Sequence, residues 1–285
     1  MSYHNAVLLK ESVDALAIKE DGVYVDVTFG GGGHSKEILK RLGKNGKLFA
    51  FDQDPDALVN TIDDERFVLI PENFRYISRF LRFHRIKKVD GILADLGVSS
   101  HQFDEAERGF STRFEGDLDM RMNQKSKISA KEVVNTYTEE KLAEILFAYG
   151  ELRNSRKIAR LIVEARANEK IETSFDLKAA LKTVLPNAKE HKILAQIFQA
   201  IRIEVNEELE VLKEFLVQTP NLLKEQGRLS VISYHSLEGE PEKDVFGRSN
   251  EPLKRVGKLI IPTPEEIKLN NRARSAKLRI ATLKV

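Results

Sequence analysis

The chain has 285 residues, 41% hydrophobic and 32% charged, with a formal net charge of only +2, the balance of a folded globular protein rather than a disordered one. It contains no cysteine, which excludes disulfides, thiolate metal sites and any thiol nucleophile, and its six histidines form no HExxH-type pair, so no resident metal is expected. No run approaches the roughly 18 apolar residues of a membrane span, and MSYHNAVLLKESVDAL lacks a secretory signal pattern, which makes the cytoplasm the expected location.

From the N-terminus, VYVDVTF (Val23–Phe29) reads as a short strand. Four glycines, Gly30 to Gly33, follow it and lead into a helix-like SKEILKRLG. KLFAFD (Lys47–Asp52) is a second strand and Pro55 suits the first turn of a second helix. FVLI (Phe67–Ile70) and VDGILADLG (Val89–Gly97) complete a series of apolar strands separated by helices, the rhythm of βαβ units on a parallel sheet covered on both faces. The stretch Gly97–Met122 is polar, irregular and too long for a plain connection, as functional loops often are.

A run of helices comes next. Ser129 and Glu132 have capping-box spacing, and Thr138 caps a segment in which Leu142, Ile145, Leu146 and Tyr149 share one face. SRKIARLIVEAR repeats the pattern with Ile158, Leu161, Ile162 and Ala165, and KILAQIFQAIRIEV is a further apolar helix. The α/β rhythm then returns with RLSVIS (Arg228–Ser233), followed by KLIIP (Lys258–Pro262) and AKLRIATL (Ala276–Leu283), expected to pair antiparallel at a sheet edge. The expected architecture is one doubly wound α/β domain, residues 1–103 and 205–285, interrupted by an all-helical insert over residues 104–204. From Pro252 onward nine basic residues face only Glu265 and Glu266, a bias that suits a polyanion.

A glycine-rich turn after the first strand lies at the carboxyl end of a parallel sheet, where α/β proteins bind ligands. Asp52 ends the second strand, where an acid can accept hydrogen bonds from both ribose hydroxyls of a nucleoside. Together they point to an adenosine-containing cofactor. The turn lacks the third glycine of GxGxxG and has no GK[ST], which excludes a P-loop. The closing antiparallel strand pair and the large insert after the fourth strand favour S-adenosylmethionine over a dinucleotide, and methyl transfer over hydride transfer.

The segments VDVTFGGGGHS, FDQDP, VDGILADLGVSSHQFDEAERGFS, LDMRM, YGELRNSRKIARLIVEAR, FQAIRIEVNEEL, GRLSVISYHSLE and RSAKLRIA closely resemble the RsmH (MraW) family of 16S rRNA (cytosine-N4)-methyltransferases over essentially the whole chain. The resemblance implies a class I, Rossmann-like S-adenosylmethionine-dependent methyltransferase fold and a cytidine in the decoding centre of the small ribosomal subunit as substrate. It implies that Gly32, Gly33 and His34 contact the cofactor, that Asp52 holds the ribose, and that Phe74 lies against the adenine. Asp95 is implied near the methionine end, with Gln102 completing the pocket. The helical insert, with Arg153, Arg156, Lys157, Arg160 and Arg166, and the basic C-terminal stretch are then expected to clamp RNA, with no membrane partner. Whether the chain works as a monomer or a homodimer stays open. In the family a further helix separates HSLE from a GEPEKD-like loop, whereas here Glu238 meets Gly239 directly, so the helix is lost or residues are missing between them.

Cytosine N4 is a poor nucleophile whose lone pair is delocalised into the ring, so a site must orient it in line with a sulfonium methyl and accept its proton. Asp95, or a nearby carbonyl, is the candidate for that role. The absence of cysteine disfavours methylation at cytosine C5, which needs a thiolate. The loop DLGVSS lacks the prolines and aromatic ring of the D-P-P-Y type, leaving Tyr234 and His235 as candidates for stacking and polar contacts. Two rival readings are a nicotinamide-dependent oxidoreductase and a non-catalytic rRNA-binding assembly factor.

Overall fold

Apolar runs of four to seven residues bounded by turn residues give the first four strands: β1 (Val23–Asp26), β2 (Lys47–Phe51), β3 (Phe67–Ile70) and β4 (Val89–Asp95). The computed structural model describes residues 6–186, 188–239 and 252–284. Two compact units emerge, Met1–Gly97 with Leu209–Val285, and Val98–Glu208.

With β5 (Leu223–Ser233), β6 (Leu253–Arg255) and β7 (Lys277–Leu283), the described residues of the first unit form a sheet of seven strands in the order β3-β2-β1-β4-β5-β7-β6. Strands β1 to β5 are parallel, β5 pairs antiparallel with β7, and β7 with β6. Residues Val89 to Ala94 of β4 are all buried, as a central strand covered on both faces requires. This α/β arrangement is the doubly wound class expected, and its strand order reverses between β1 and β4, the kind of switch point at whose carboxyl side α/β folds bind ligands.

Three local expectations change. KLIIP contributes only an isolated bridge, Ile260 to Leu278, and the edge strand is the earlier Leu253–Arg255. Strand β5 starts at Leu223, where it pairs with Val89, but its register jumps before Arg228 meets Gly91. The regular part of β5 is therefore the apolar RLSVIS, and the polar residues before it form an irregularity that no alternation pattern announces. The segment from Pro55 winds as a 3₁₀ helix, Pro55–Asn60, opened by Asp54, whose side chain accepts from Asp56 N–H. Residues 240–251, which include most of GEPEKD, lie outside the described residues.

Helices α1 (Leu9–Asp14), α2 (Gly33–Arg41), α3 (Ile77–Phe83) and, from Leu209 onward, the long helix Glu208–Leu222 belong to the sheet unit. Pro220, which has no N–H to donate, sits in the last turn of that long helix, which ends two residues later.

The second unit is helical: α4 (Ser100–Asp104), α5 (Ala130–Thr136), α6 (Glu139–Ala148), α7 (Ser155–Asn168), α8 (Ser174–Ala180) and α9 (Glu190–Asn206). It is wider than 104–204 because Val98 and Phe103 pack on its core and Val205 lies within it. Leu142, Ile145 and Leu146 of α6 meet Ile158, Ala159 and Ile162 of α7 and Leu194, Ile197 and Ile201 of α9 in one core, each helix contributing a face at three- and four-residue spacing. The irregular loop is fastened to this core: Asn206 accepts from Met122 N–H at 2.8 Å and donates to Met120 O at 2.8 Å.

Candidate active site

The turn after β1 is built from backbone. Gly32 caps α2 in the left-handed region at φ 75°, and a Cβ there would lie 3.1 Å from the Phe29 ring, so both conformation and space require glycine. Gly33 is required for packing, because a Cβ would approach Ala6 Cβ to 2.9 Å. Around Gly31 the space beyond the backbone is open, with nothing within 4 Å of where a Cβ would stand. The turn thus offers bare peptide groups on its solvent side.

Asp52 leaves the end of β2 and folds its carboxylate under this turn, accepting from Gly30 N–H at 2.7 Å and Asp54 N–H at 2.9 Å. Enclosure by protein pushes its pKa up to about 6, against the pull of those two N–H groups, while the residue keeps a solvent-facing edge. No cation pairs with it among the described residues. It is an acceptor held ready, with lone pairs left for hydroxyl donors.

Asp95 ends β4. Its N–H donates to the Thr28 hydroxyl at 2.7 Å, which ties the end of β4 to the segment after β1. The Tyr234 hydroxyl donates to Asp95 Oδ1 at 2.7 Å, and His34 Nδ1 stands 3.9 Å from Oδ2. Burial raises the Asp95 pKa to about 6; His34 and the Tyr234 hydroxyl hold it down, and Asp26 and Glu238 add to the rise. Burial and the adjoining Asp95 carboxylate push the Tyr234 phenol well above its ordinary value, so it stays a hydrogen-bond donor. The buried ring of His34 spans from Asp95 to Val7, whose carbonyl oxygen lies 3.2 Å from Nε2. When Nε2 carries a proton it donates there and fixes the ring's orientation.

Of the residues named from the sequence, His34, Asp95 and Tyr234 therefore form one hydrogen-bonded and electrostatic group, with Gly32, Gly33 and Asp52 at the adjoining turn. Phe74, opening the 3₁₀ turn Phe74–Tyr76, is half-buried and meets Phe215 edge-on at 5.3 Å. The His235 ring, unlike the Tyr234 hydroxyl, makes no hydrogen bond among the described residues. Its Nε2 lies 3.2 Å from Glu238 Oε1 outside hydrogen-bond geometry, while Glu238 Oε2 accepts from the backbone N–H of both Tyr234 and His235. Gln102 belongs to the helical unit, where its side-chain oxygen accepts from Ser99 N–H at 3.0 Å as part of the capping box of α4.

Two participants escaped the sequence reading. Asp26 is completely buried at the end of β1, accepting from the Ser35 hydroxyl at 2.7 Å and Thr28 N–H at 3.1 Å, and burial raises its pKa. A lone acid inside the apolar VDVTF was the available signal. Thr28 holds Asp95 through its hydroxyl, and nothing in its own neighbourhood in sequence announces a partner 67 residues away.

A model described as the MraW methylase family matches residues 1–284. The protein named ribosomal RNA small subunit methyltransferase H of Christiangramia forsetii is 65% identical over 295 positions, covering 99% of this chain and 98% of that one. The proteins of the same name from Flavobacterium johnsoniae and Bacteroides fragilis are 64% and 55% identical, each with 99% of this chain and 98% of the relative covered. An aligned span of 295 positions exceeds the 285 residues here, so the first relative carries at least ten positions without a counterpart in this chain.

Proposed function

This chain belongs to the MraW methylase family, and from that premise we propose that it transfers a methyl group from S-adenosylmethionine to N4 of a cytidine in the decoding centre of 16S rRNA. The observation that carries the reading is the Asp95 carboxylate, held by Thr28, Tyr234 and His34 at the carboxyl end of β4, beside the point where the strand order reverses. The relatives' shared name supplies the small-subunit rRNA as substrate class.

The residues fit the cofactor. The open backbone at Gly31 can lie against the methionine and ribose, Asp52 has acceptor capacity for the ribose hydroxyls, and the partly exposed ring of Phe74 suits the adenine. When bound, S-adenosylmethionine supplies an electrophilic methyl group. Asp95 orients the exocyclic amino group by accepting one of its hydrogens, and takes up the proton that the nitrogen sheds as it is alkylated. A carboxylate with a pKa of about 6 is mostly ionised at neutral pH and is still basic enough for this. Tyr234 keeps one Asp95 oxygen occupied and leaves the other for the substrate. Because N4 lies on the Watson–Crick edge, the cytidine must be unpaired or splayed out to reach this position. In this reading the helical unit recognises RNA, with Arg153, Arg156 and Lys157 at the start of α7 available to phosphates. Arg160 pairs with Glu164, and Arg166 donates to Val134 O.

Incubating the protein with labelled S-adenosylmethionine and unmodified small subunits, then mapping the labelled nucleotide, tests the proposal. Label on N4 of one decoding-centre cytidine is expected. Label on another base or atom overturns the assignment, and rRNA binding without label makes the protein an assembly factor.

A further inference from the structure

The sheet unit carries a second basic surface, separate from the segments considered so far. Between Glu72 and Asp90 there is no acidic residue, while Arg75, Arg79, Arg82, Arg85, Lys87 and Lys88 fall in that interval. Two of these are committed locally. Arg75 forks onto Glu214 at 2.7–2.8 Å, and Lys88 donates to Leu223 O at 3.1 Å. Arg82, Arg85 and Lys87 are exposed and make no ion pair or side-chain hydrogen bond among the described residues.

Aromatic rings stand among these cations. Tyr76 is 45% exposed and Phe83 is 79% exposed, although Ile77 and Leu81 on the opposite side of α3 are fully buried. Tyr76, Arg79 and Phe83 are spaced three and four residues apart, so they form one outward stripe with Arg82 beside it. What sets this face apart from an ordinary solvated helix is that its charges are of one sign and its exposed rings stand among them. Guanidinium groups paired with exposed rings are the combination that holds a nucleic-acid strand, with cations on phosphates and bases stacked on aromatics.

We infer that the exposed face of α3 and the turn through Lys87 is an RNA-binding surface that grips rRNA remote from the methylated base. This rests on the rRNA reading above and adds a contact outside the helical unit and the C-terminal segment. The turn after α3 feeds the amino end of β4, whereas Asp95 stands at its carboxyl end, and seven residues at ~3.3 Å each put ~20 Å between them. The far end of this surface, from Arg82 to Lys87, therefore contributes to holding the substrate and does not reach the reacting atoms.

The test replaces Arg82, Phe83 and Arg85 together by alanine in the full chain and measures binding to naked 16S rRNA and to unmodified small subunits across a salt series, with methyl transfer in parallel. All three side chains are exposed, so an unchanged melting temperature and unchanged S-adenosylmethionine affinity are expected. Affinity for both RNA substrates should fall about tenfold or more, with a log–log salt slope shallower by about 2, while kcat at saturating substrate stays the same. Wild-type protein that binds rRNA no better than the variant overturns the inference and leaves the methyltransferase reading standing. A loss seen with assembled subunits but not with naked rRNA overturns it in favour of a protein contact. Wild-type protein that neither binds rRNA nor methylates subunits defeats the functional reading, and this inference with it.

Discussion

In the helical unit, Glu132 is held below the usual carboxylate range by its hydrogen bonds to Ser129, and Glu190 by Lys178. Burial pushes Asp119 up there, but the fork of Arg121 outweighs it. At the carboxyl ends of the sheet, burial wins: Asp26, Asp52 and Asp95 all lie above the range, and no guanidinium or ammonium answers them among the described residues. Acids of the first kind favour the folded state, whereas those of the second are less stable folded than they would be in water. Carboxylates of the second kind cluster at functional sites.

The contrast is broken most directly at Asp95. Asp95→Asn keeps the shape but cannot accept a proton, and kcat is expected to fall about 10²- to 10⁴-fold with S-adenosylmethionine affinity nearly unchanged; turnover within a factor of a few of wild type would remove Asp95 from the chemistry. Next in size is Asp52→Asn. Charged hydrogen bonds are worth about 1.5–3 kcal/mol, so calorimetry should show cofactor affinity weakened roughly ten- to hundredfold, while the affinity for rRNA is untouched.

The titration of the two acids gives a smaller, signed effect. Both bind a proton more tightly when folded, with pKa values of about 6, than in the unfolded chain, at about 3.9. Their contribution is therefore most favourable below about pH 4 and is lost as pH rises through about 6. Thermal melts across that window should show wild type losing stability relative to the Asp52→Asn/Asp95→Asn double variant. Over the same window kcat should rise with pH as Asp95 ionises, and a flat profile would contradict its role as acceptor. The smallest effect belongs to the helical unit. Thr138 caps α6 by accepting from Lys141 N–H at 3.2 Å, and Thr138→Ala should cost about 1 kcal/mol of stability with no change in cofactor affinity.

Legibility in the sequence follows from how local the cause is. Strands β1 to β4 are short apolar runs between turn residues, and the inward faces of α6 and α7 are periodic, so each announces itself within a dozen positions. The placement of the glycine turn beside Asp52 was readable because each directly follows one of two adjacent parallel strands. The edge strand was misplaced because Ile260 and Leu253 both sit in β-prone stretches, and only the partner, Leu283 or Leu278, decides which forms a ladder. Asp26 and Thr28 stayed hidden because what defines them is burial and partners brought from elsewhere by folding, and His235 parted from its neighbour Tyr234 for the same reason.

The bond between Tyr234 and Asp95 joins residues 139 positions apart, with the whole helical unit encoded between them. On a translating ribosome Asp95 emerges long before Tyr234. At ~5–20 residues per second the wait is on the order of ten seconds. During it the nascent sheet holds only β3-β2-β1-β4, and β4, buried from Val89 to Ala94 in the finished fold, is an open edge until β5 arrives. That edge is where a stalled or truncated chain would stick to its neighbours. Closure of that edge by β5 also brings Tyr234, which follows β5, to the Asp95 carboxylate.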